Sequence, residues 1–214
     1  MHPSWLLPSW HPRSEIKSLI TTRHGGVSAP PYDSMNLAMH VGDDPMHVLA
    51  NRRLLTMDLP SEPVWLNQVH STEVVDADLP HALVPVADAA VTTRADCVLA
   101  AMTADCLPVL ICSADGQKIA AIHAGWRGLA NGIITHSIHA LNTQDVIVWF
   151  GGAIGKHCFE IGDDVRQIFI KKSSDYATAF QRHGSKWLAD IYQLARIELA
   201  QLGIFNVYGG DYCT

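Results

Sequence analysis

The sequence has no CxxC pair, no run of Lys or Arg, no internal repeat and no apolar stretch near the roughly 20 residues that a membrane-spanning helix needs. Each absence removes a class of protein. Without CxxC, zinc ribbons and thioredoxin-like redox motifs are excluded, and cysteine chemistry is left to isolated thiols that meet distant partners in space. Without basic runs, and with a net charge of -6, no surface is available to neutralise the many phosphates of a nucleic-acid duplex. The longest apolar runs, such as 98–102 and 107–112, stop far short of a bilayer. The N-terminal Pro3, Trp5, Pro8, Trp10 and Pro12 follow no basic start and leave no unbroken apolar core. This is not the pattern of a signal peptide, and the cytoplasm is the expected compartment.

What is present suits one compact domain over residues 1–214. A chain of this length, 48% hydrophobic and 17% charged, has enough apolar side chains for a single core and is far from the composition of disorder. Five cysteines, at 97, 106, 112, 158 and 213, are an odd number that fits free thiols in a reducing compartment. Twelve histidines supply partners for them.

Periodicity and punctuation predict alternating elements. A short strand is expected at 18–22, then a loop forced by Gly25-Gly26 and Pro30-Pro31. Asp44 followed by Pro45 should cap a helix to about Met57. Strands are expected at 64–69, 73–75, 89–93, 98–102, 107–113 and 118–123, with Asp115-Gly116 as a hairpin turn. A helix should run from Gly125–Gly128 to about Leu141, and a strand should occupy 146–150. Asp163 should cap a further helix, and Leu188 to Leu202 form an amphipathic helix ending at Gly203. Phe205 to Tyr208 reads as a last strand, while the Pro-rich start, 78–85 and 171–186 read as the mobile segments. Several adjacent strands argue for α/β or α+β rather than a strictly alternating sheet.

Three apolar strands end in metal-capable side chains: WLNQVH at 65–70, TADCLP at 103–108 and IHAGWRG at 122–128. Zinc takes imidazole and thiolate, and three protein ligands with one open position are the arrangement of catalytic zinc. Spacing alone does not single out His70, Cys106 and His123, because separations of 36 and 17 residues match no compact zinc signature. A lone His or Cys is more often a core or surface residue.

The strings TTRHGGVSAPPYDSMNLAMHVGDDP (21–45), WLNQVH, MTADCLPVLIC (102–112), AIHAGWRGLANGI (121–133), GGAIGKHCFEIG (151–162) and GGDYCT (209–214) resemble, in order, the motifs of the YfiH-like family, also called the polyphenol-oxidase or laccase-domain family. The resemblance implies a layered α-β-β-α sandwich, related in plan to cysteine-hydrolase toxin domains. It also implies a metal held by His70, Cys106 and His123, zinc first and copper as the alternative. The implied activity is phosphorolysis of adenosine, inosine and methylthioadenosine, with hydrolytic deamination of adenosine. The partners are then a purine nucleoside and phosphate, and the oligomeric state is monomer or homodimer. Past GGDYCT the family continues with a tail resembling FSYRRDG, whose cationic groups have no counterpart in a sequence that stops at Thr214.

Under that reading Cys106 and His123 are catalytic as well as ligating. Arg127, at an expected helix start, either grips phosphate or is taken up by a surface salt bridge or the Trp126 ring. Arg23 either binds the same anion or is structural. Asn36 and His40 lie in a polar loop, where either could bind ribose or act as general acid. Asp105, beside Cys106, either orients a ligand histidine or points to the opposite face. Cys97 and Cys112 read as core; Cys158 and Cys213 lie in loops without an evident partner. His2, His11, His47, His81, His136, His139 and His183 read as solvated or capping, and Trp126 as a core or pocket wall. Three other functions stay open: copper oxidation of phenols, hydrolysis of cell-wall precursor peptides by Cys106 activated by His123, and a closed structural zinc module.

Overall fold

The computed structural model describes residues 5–10, 12–13 and 15–214, so His2 and His11 lie outside the described residues. Its elements are α1 (Pro45–Thr56), β1 (Val74–Asp76), β2 (Ala89–Thr92), β3 (Leu107–Ser113), β4 (Ile119–Ala124), α2 (Trp126–Asn131), α3 (Ile133–Leu141), β5 (Val146–Phe150), β6 (Glu160–Ile161), α4 (Asp163–Lys172), a 3₁₀ turn (Ser174–Ala179), β7 (Phe180–His183), β8 (Lys186–Ala189), α5 (Ile191–Gln201) and β9 (Val207–Gly209). One six-stranded sheet runs β1-β2-β4-β3-β5-β9 and a three-stranded sheet runs β6-β8-β7. Outer pairs β1·β2 and β5·β9 are parallel and the inner ones antiparallel, so the fold is a mixed α+β sandwich. No helix among the described residues is long and apolar enough to cross a membrane.

Alternation along β3 assigns the faces of the main sheet. Leu107, Val109 and Ile111 join the large core with Leu129, Ile133, Ile134 and Ile138 of α2 and α3 and Leu194 and Leu199 of α5. Leu110 and Cys112 instead join Trp10, Ile16, Ile20 and Trp149, so the N-terminal segment covers the other face. The β3–β4 hairpin turns at Gly116, whose φ of 74 needs a residue without a Cβ.

Several expectations are corrected. Residues 64–69 and 98–102 make no strand, only the isolated bridges Val64↔Leu99 and Asn67↔Val86. The amides of Val69, His70 and Ser71 bind the Asp88 carboxylate instead of a ladder partner. Residues 18–22 contribute a single bridge, Ile20 to Leu6. The helix expected over 125–141 breaks at Gly132, φ 89, into α2 and α3. Glu198 of α5 reaches the new helix start and accepts from the Thr135 amide and hydroxyl. Gly162, not Asp163, is the N-cap of α4, and the Asp163 carboxylate accepts from the Trp187 indole. Leu188 belongs to β8; Asp190 then caps α5 by accepting from the Gln193 amide. Residues 171–186 are built structure, because Tyr176 and Ala179 are buried and Phe180 packs on Phe169. Cys97 is only half-buried and accepts from Arg94, whereas Cys112 is core as expected.

Candidate metal centre

The centre lies where segments 68–71 and 102–106 meet the ends of β2 and β4. Gln68 is buried and makes a reciprocal pair with Met102: its Nε2 donates to the Met102 carbonyl at 2.7 Å and its Oε1 accepts the Met102 amide at 2.8 Å. This pair ties the segment bearing His70 to the one bearing Cys106. His123 is buried near the end of β4, and its amide donates to the Asp88 carbonyl, which extends the β2–β4 pairing to the centre.

The ligand-capable atoms of His70, Cys106 and His123 all lie within 4.8 Å of one another. Cys106 Sγ is 3.6 Å from His70 Nε2. Two ligands of one tetrahedral zinc, at about 2.0–2.1 Å for nitrogen and 2.3 Å for sulfur, stand about 3.6 Å apart. The His70 and His123 rings meet edge to face, centroids 4.7 Å apart. His70 has φ 60, an uncommon backbone conformation for a residue with a side chain. Gly125 faces the cluster: a Cβ there would stand 2.5 Å from His70 Cδ2 and 3.0 Å from Cys106 Sγ. The glycine of HAGW is therefore part of the centre's shape.

Asp88, which has no exposed surface, organises it. Its Oδ1 pairs with His123 Nδ1 at 2.8 Å and accepts the His70 amide at 2.9 Å. Its Oδ2 accepts the Val69 amide and both the amide and hydroxyl of Ser71. Burial alone would raise the Asp88 pKa, but hydrogen bonds from His123, Ser71 and Val69 outweigh it and hold the carboxyl well below its ordinary value. With Nδ1 directed at Asp88, His123 offers Nε2 to the cluster, as metal-ligating histidines backed by a carboxylate do. Burial lowers the His70 pKa and the neighbouring His123 lowers it further, favouring the neutral imidazole that binds metal. At His123 burial also lowers the pKa, but hydrogen bonds to Asp88 and Cys106 prevail and raise it to about 9. A metal entering here displaces that proton.

Arg127 and His40 both lie within electrostatic reach of His70. The exposed Arg127 guanidinium sits 4.3 Å over the Trp126 ring. Arg23 and Asn36 are engaged in the 21–45 loop. Arg23 donates to the carbonyl and carboxylate of Asp33, both at 2.9 Å, and Asn36 Nδ2 donates to Asp43 and to the Ala38 carbonyl. Asp105 is turned away: its carboxylate accepts from the Thr214 hydroxyl. The carboxylate behind the candidate ligand His123 is Asp88, which the motifs do not reveal. A lone acid among the fully apolar neighbours Ala87, Ala89, Ala90 and Val91 was the available signal, because a buried charge requires dedicated partners.

An α+β sandwich that brings two histidines and a cysteine together beside the ends of β2, β3 and β4, with a buried carboxylate behind one histidine, has the features of a metal-binding enzyme. The chain belongs to the family described as multi-copper polyphenol oxidoreductase laccase, whose model matches residues 17–214. It is 46% identical to the purine nucleoside phosphorylase YfiH of Escherichia coli (strain K12), over 98% of this chain and 88% of that protein. It is 43% identical to the purine nucleoside phosphorylase PA4543 of Pseudomonas aeruginosa, over 99% and 88%. The crystal structure of Neisseria meningitidis protein NMB0706 superposes with a TM-score of 0.94 at 43% identity, covering 98% of this chain and 88% of that one. YlmD from Geobacillus stearothermophilus follows the same fold at 27% identity with a TM-score of 0.88, covering 100% and 87%.

Proposed function

We propose that the chain is a zinc-dependent purine nucleoside phosphorylase acting on adenosine, inosine and methylthioadenosine, with hydrolytic deamination of adenosine at the same centre. The observation that carries this reading is the His70, Cys106 and His123 cluster backed by Asp88, in a chain nearly half identical to proteins named for phosphorolysis. Zinc is favoured over several coppers because, among the described residues, only this group of three can hold an ion.

Zinc, when bound, supplies a Lewis acid that makes a coordinated water acidic. Asp88 holds the His123 ring, and Gly125 leaves space beside His70 and Cys106. Arg127 has no ion-pair partner among the described residues and supplies the positive charge that phosphate requires. In phosphorolysis a phosphate oxygen bonds to ribose C1′ as the bond to the base breaks, and the departing base takes a proton. In deamination water oxygen adds at C6 and ammonia leaves. His40 is the proton donor, and Arg23 and Asn36 serve by holding the loop that carries it. The protein acts in the cytoplasm, where free nucleosides and phosphate are available.

The test is phosphate-dependent release of free base by purified, metal-quantified protein with Cys106→Ala alongside. Base release that needs phosphate, with near-complete loss in the variant, supports the reading. The alternative of a cysteine hydrolase, Cys106 activated by His123, draws on the same cluster, in which Cys106 Sγ also lies 3.6 Å from His70 Nε2. Turnover that survives complete chelation would select that alternative.

A further inference from the structure

Outside the metal centre, a second pair of reactive side chains is brought together by distant segments. Cys158 and Cys213 are both exposed free thiols, 55 positions apart in sequence, and the turn that carries Cys158 seats against Cys213. The surrounding backbone builds the contact. Residues 155–158 form a turn in which the Cys158 amide donates to the Gly155 carbonyl at 2.9 Å. The Gly155 amide donates to Cys213 Sγ at 3.3 Å, and a Cβ on Gly155 would come within 3.0 Å of both Cβ and Sγ of Cys213. Cys213 is itself held by a bridge to Ala153, and the Thr214 amide donates to the Ala153 carbonyl. Neither thiol belongs to the metal cluster.

We propose that Cys158 and Cys213 form a reversible disulfide, a redox modification site that staples segment 213–214 onto the 153–158 turn. The oxidant class is a low-molecular-weight disulfide such as glutathione disulfide. Contact with Cys213 raises the Cys158 pKa, so Cys158 keeps its proton until the second step and the first attack falls to Cys213, whose proton passes to solvent. Cys213 Sγ attacks one sulfur of the small disulfide and releases one small thiolate. Cys158 then loses its proton and attacks Cys213 Sγ of the mixed disulfide. The protein disulfide forms and the second small thiolate leaves, so two protein thiols are oxidised and one small disulfide is reduced to two thiols. The staple reaches the neighbourhood of the centre through Asp105, whose carbonyl accepts the Ile154 amide and whose carboxylate accepts the Thr214 hydroxyl. Cytosolic disulfides of this kind are transient and redox-sensing, as the accessibility of both sulfurs requires.

The experiment equilibrates the zinc-loaded chain with reduced and oxidised glutathione at a series of ratios, blocks remaining thiols and maps the peptides. The expected result is a Cys158–Cys213 linkage that grows with the oxidised fraction and reverses on reduction, while Cys112 stays a thiol. Cys158→Ser should instead accumulate glutathione on Cys213, and amide exchange at Gly155 and Thr214 should slow at least several-fold in the linked form. Both thiols remaining alkylatable at every ratio, glutathione accumulating on both without linkage, or exchange at Gly155 and Thr214 unchanged by linkage would each overturn the proposal.

Discussion

The centre around Asp88 and the loop over residues 21–45 are both polar clusters knitted by side-chain hydrogen bonds to backbone, yet they put those bonds to opposite use. At the centre the bonds end on Asp88, and their effect is to leave His70 Nε2, Cys106 Sγ and one nitrogen of His123 facing one another. In the loop they consume the groups that looked available. Asn51, fully buried, donates to Ser28 Oγ and to the carbonyls of Ser34 and Asn36, and it accepts the Val27 amide. Asp43 accepts from Ser28 and Asn36, and Arg23 is closed by Asp33. A motif rich in polar residues is thus no guide to chemistry until its hydrogen bonds are counted.

The largest expected effect would break the comparison at the centre. Asp88→Asn replaces an acceptor-only carboxylate with an amide whose nitrogen can only donate, so zinc affinity should fall about 10–100-fold. Competition against a chromophoric chelator measures it, and unchanged affinity would remove Asp88 from its organising role. Asn51→Ala should cost about 2–4 kcal/mol of stability by orphaning buried backbone groups. The folded fraction should nevertheless bind zinc as the unmodified protein does, as denaturant titration with metal analysis would show. Loss of zinc from natively folded Asn51→Ala would mean that loop and centre are one unit.

A smaller effect sharpens the rule that Asp88 illustrates. Glu198 is equally buried, but only Oε1 has partners, and Oε2 has none among the described residues. Burial therefore raises its pKa, and the Thr135 bonds do not offset it. A carboxyl whose folded pKa is raised contributes stability below its unfolded value near 4.5, and that contribution is lost as pH climbs through the folded value. Glu198→Gln should accordingly melt higher than the parent at pH 8, by about 2–4 °C for each kcal/mol gained, with the gap closing toward pH 4. A gap independent of pH would contradict the assignment. Smallest of all, Arg23→Ala opens an exposed pair and should change stability by no more than about 1 kcal/mol. It should leave the KM for phosphate within about twofold of the parent, a shift too small to register against an ion contact of ordinary strength. A tenfold rise would return Arg23 to the substrate site.

How much was legible follows the kind of bond that builds each part. The β3–β4 hairpin, α1 with its Asp44 cap and the apolar stripe of α5 were readable, because local chemistry dictates them. The three ligand-capable residues stood out only through resemblance, and the structure brings them together. What brings them together is the Gln68–Met102 pair and Asp88, contacts between residues 18 to 35 positions apart that leave no periodic trace. The strands expected at 64–69 and 98–102 stop at isolated bridges for the same reason, since the amides of Val69 and Met102 answer to side chains. The break at Gly132 was hidden because apolar spacing continues across it, while Glu198, 63 positions away from Thr135, receives the new helix end.

The wide separation of the ligands also fixes an order of events during synthesis. His70, Cys106 and Asp88 cannot form the centre until β4 has been made and paired with β2, so an emerging chain has no complete set of donors before residue 123 leaves the ribosome. Closing those loops costs entropy that only the finished sheet repays. Assembly of the cluster is therefore a late step, and a complete set of donors reports that the middle of the sheet has formed.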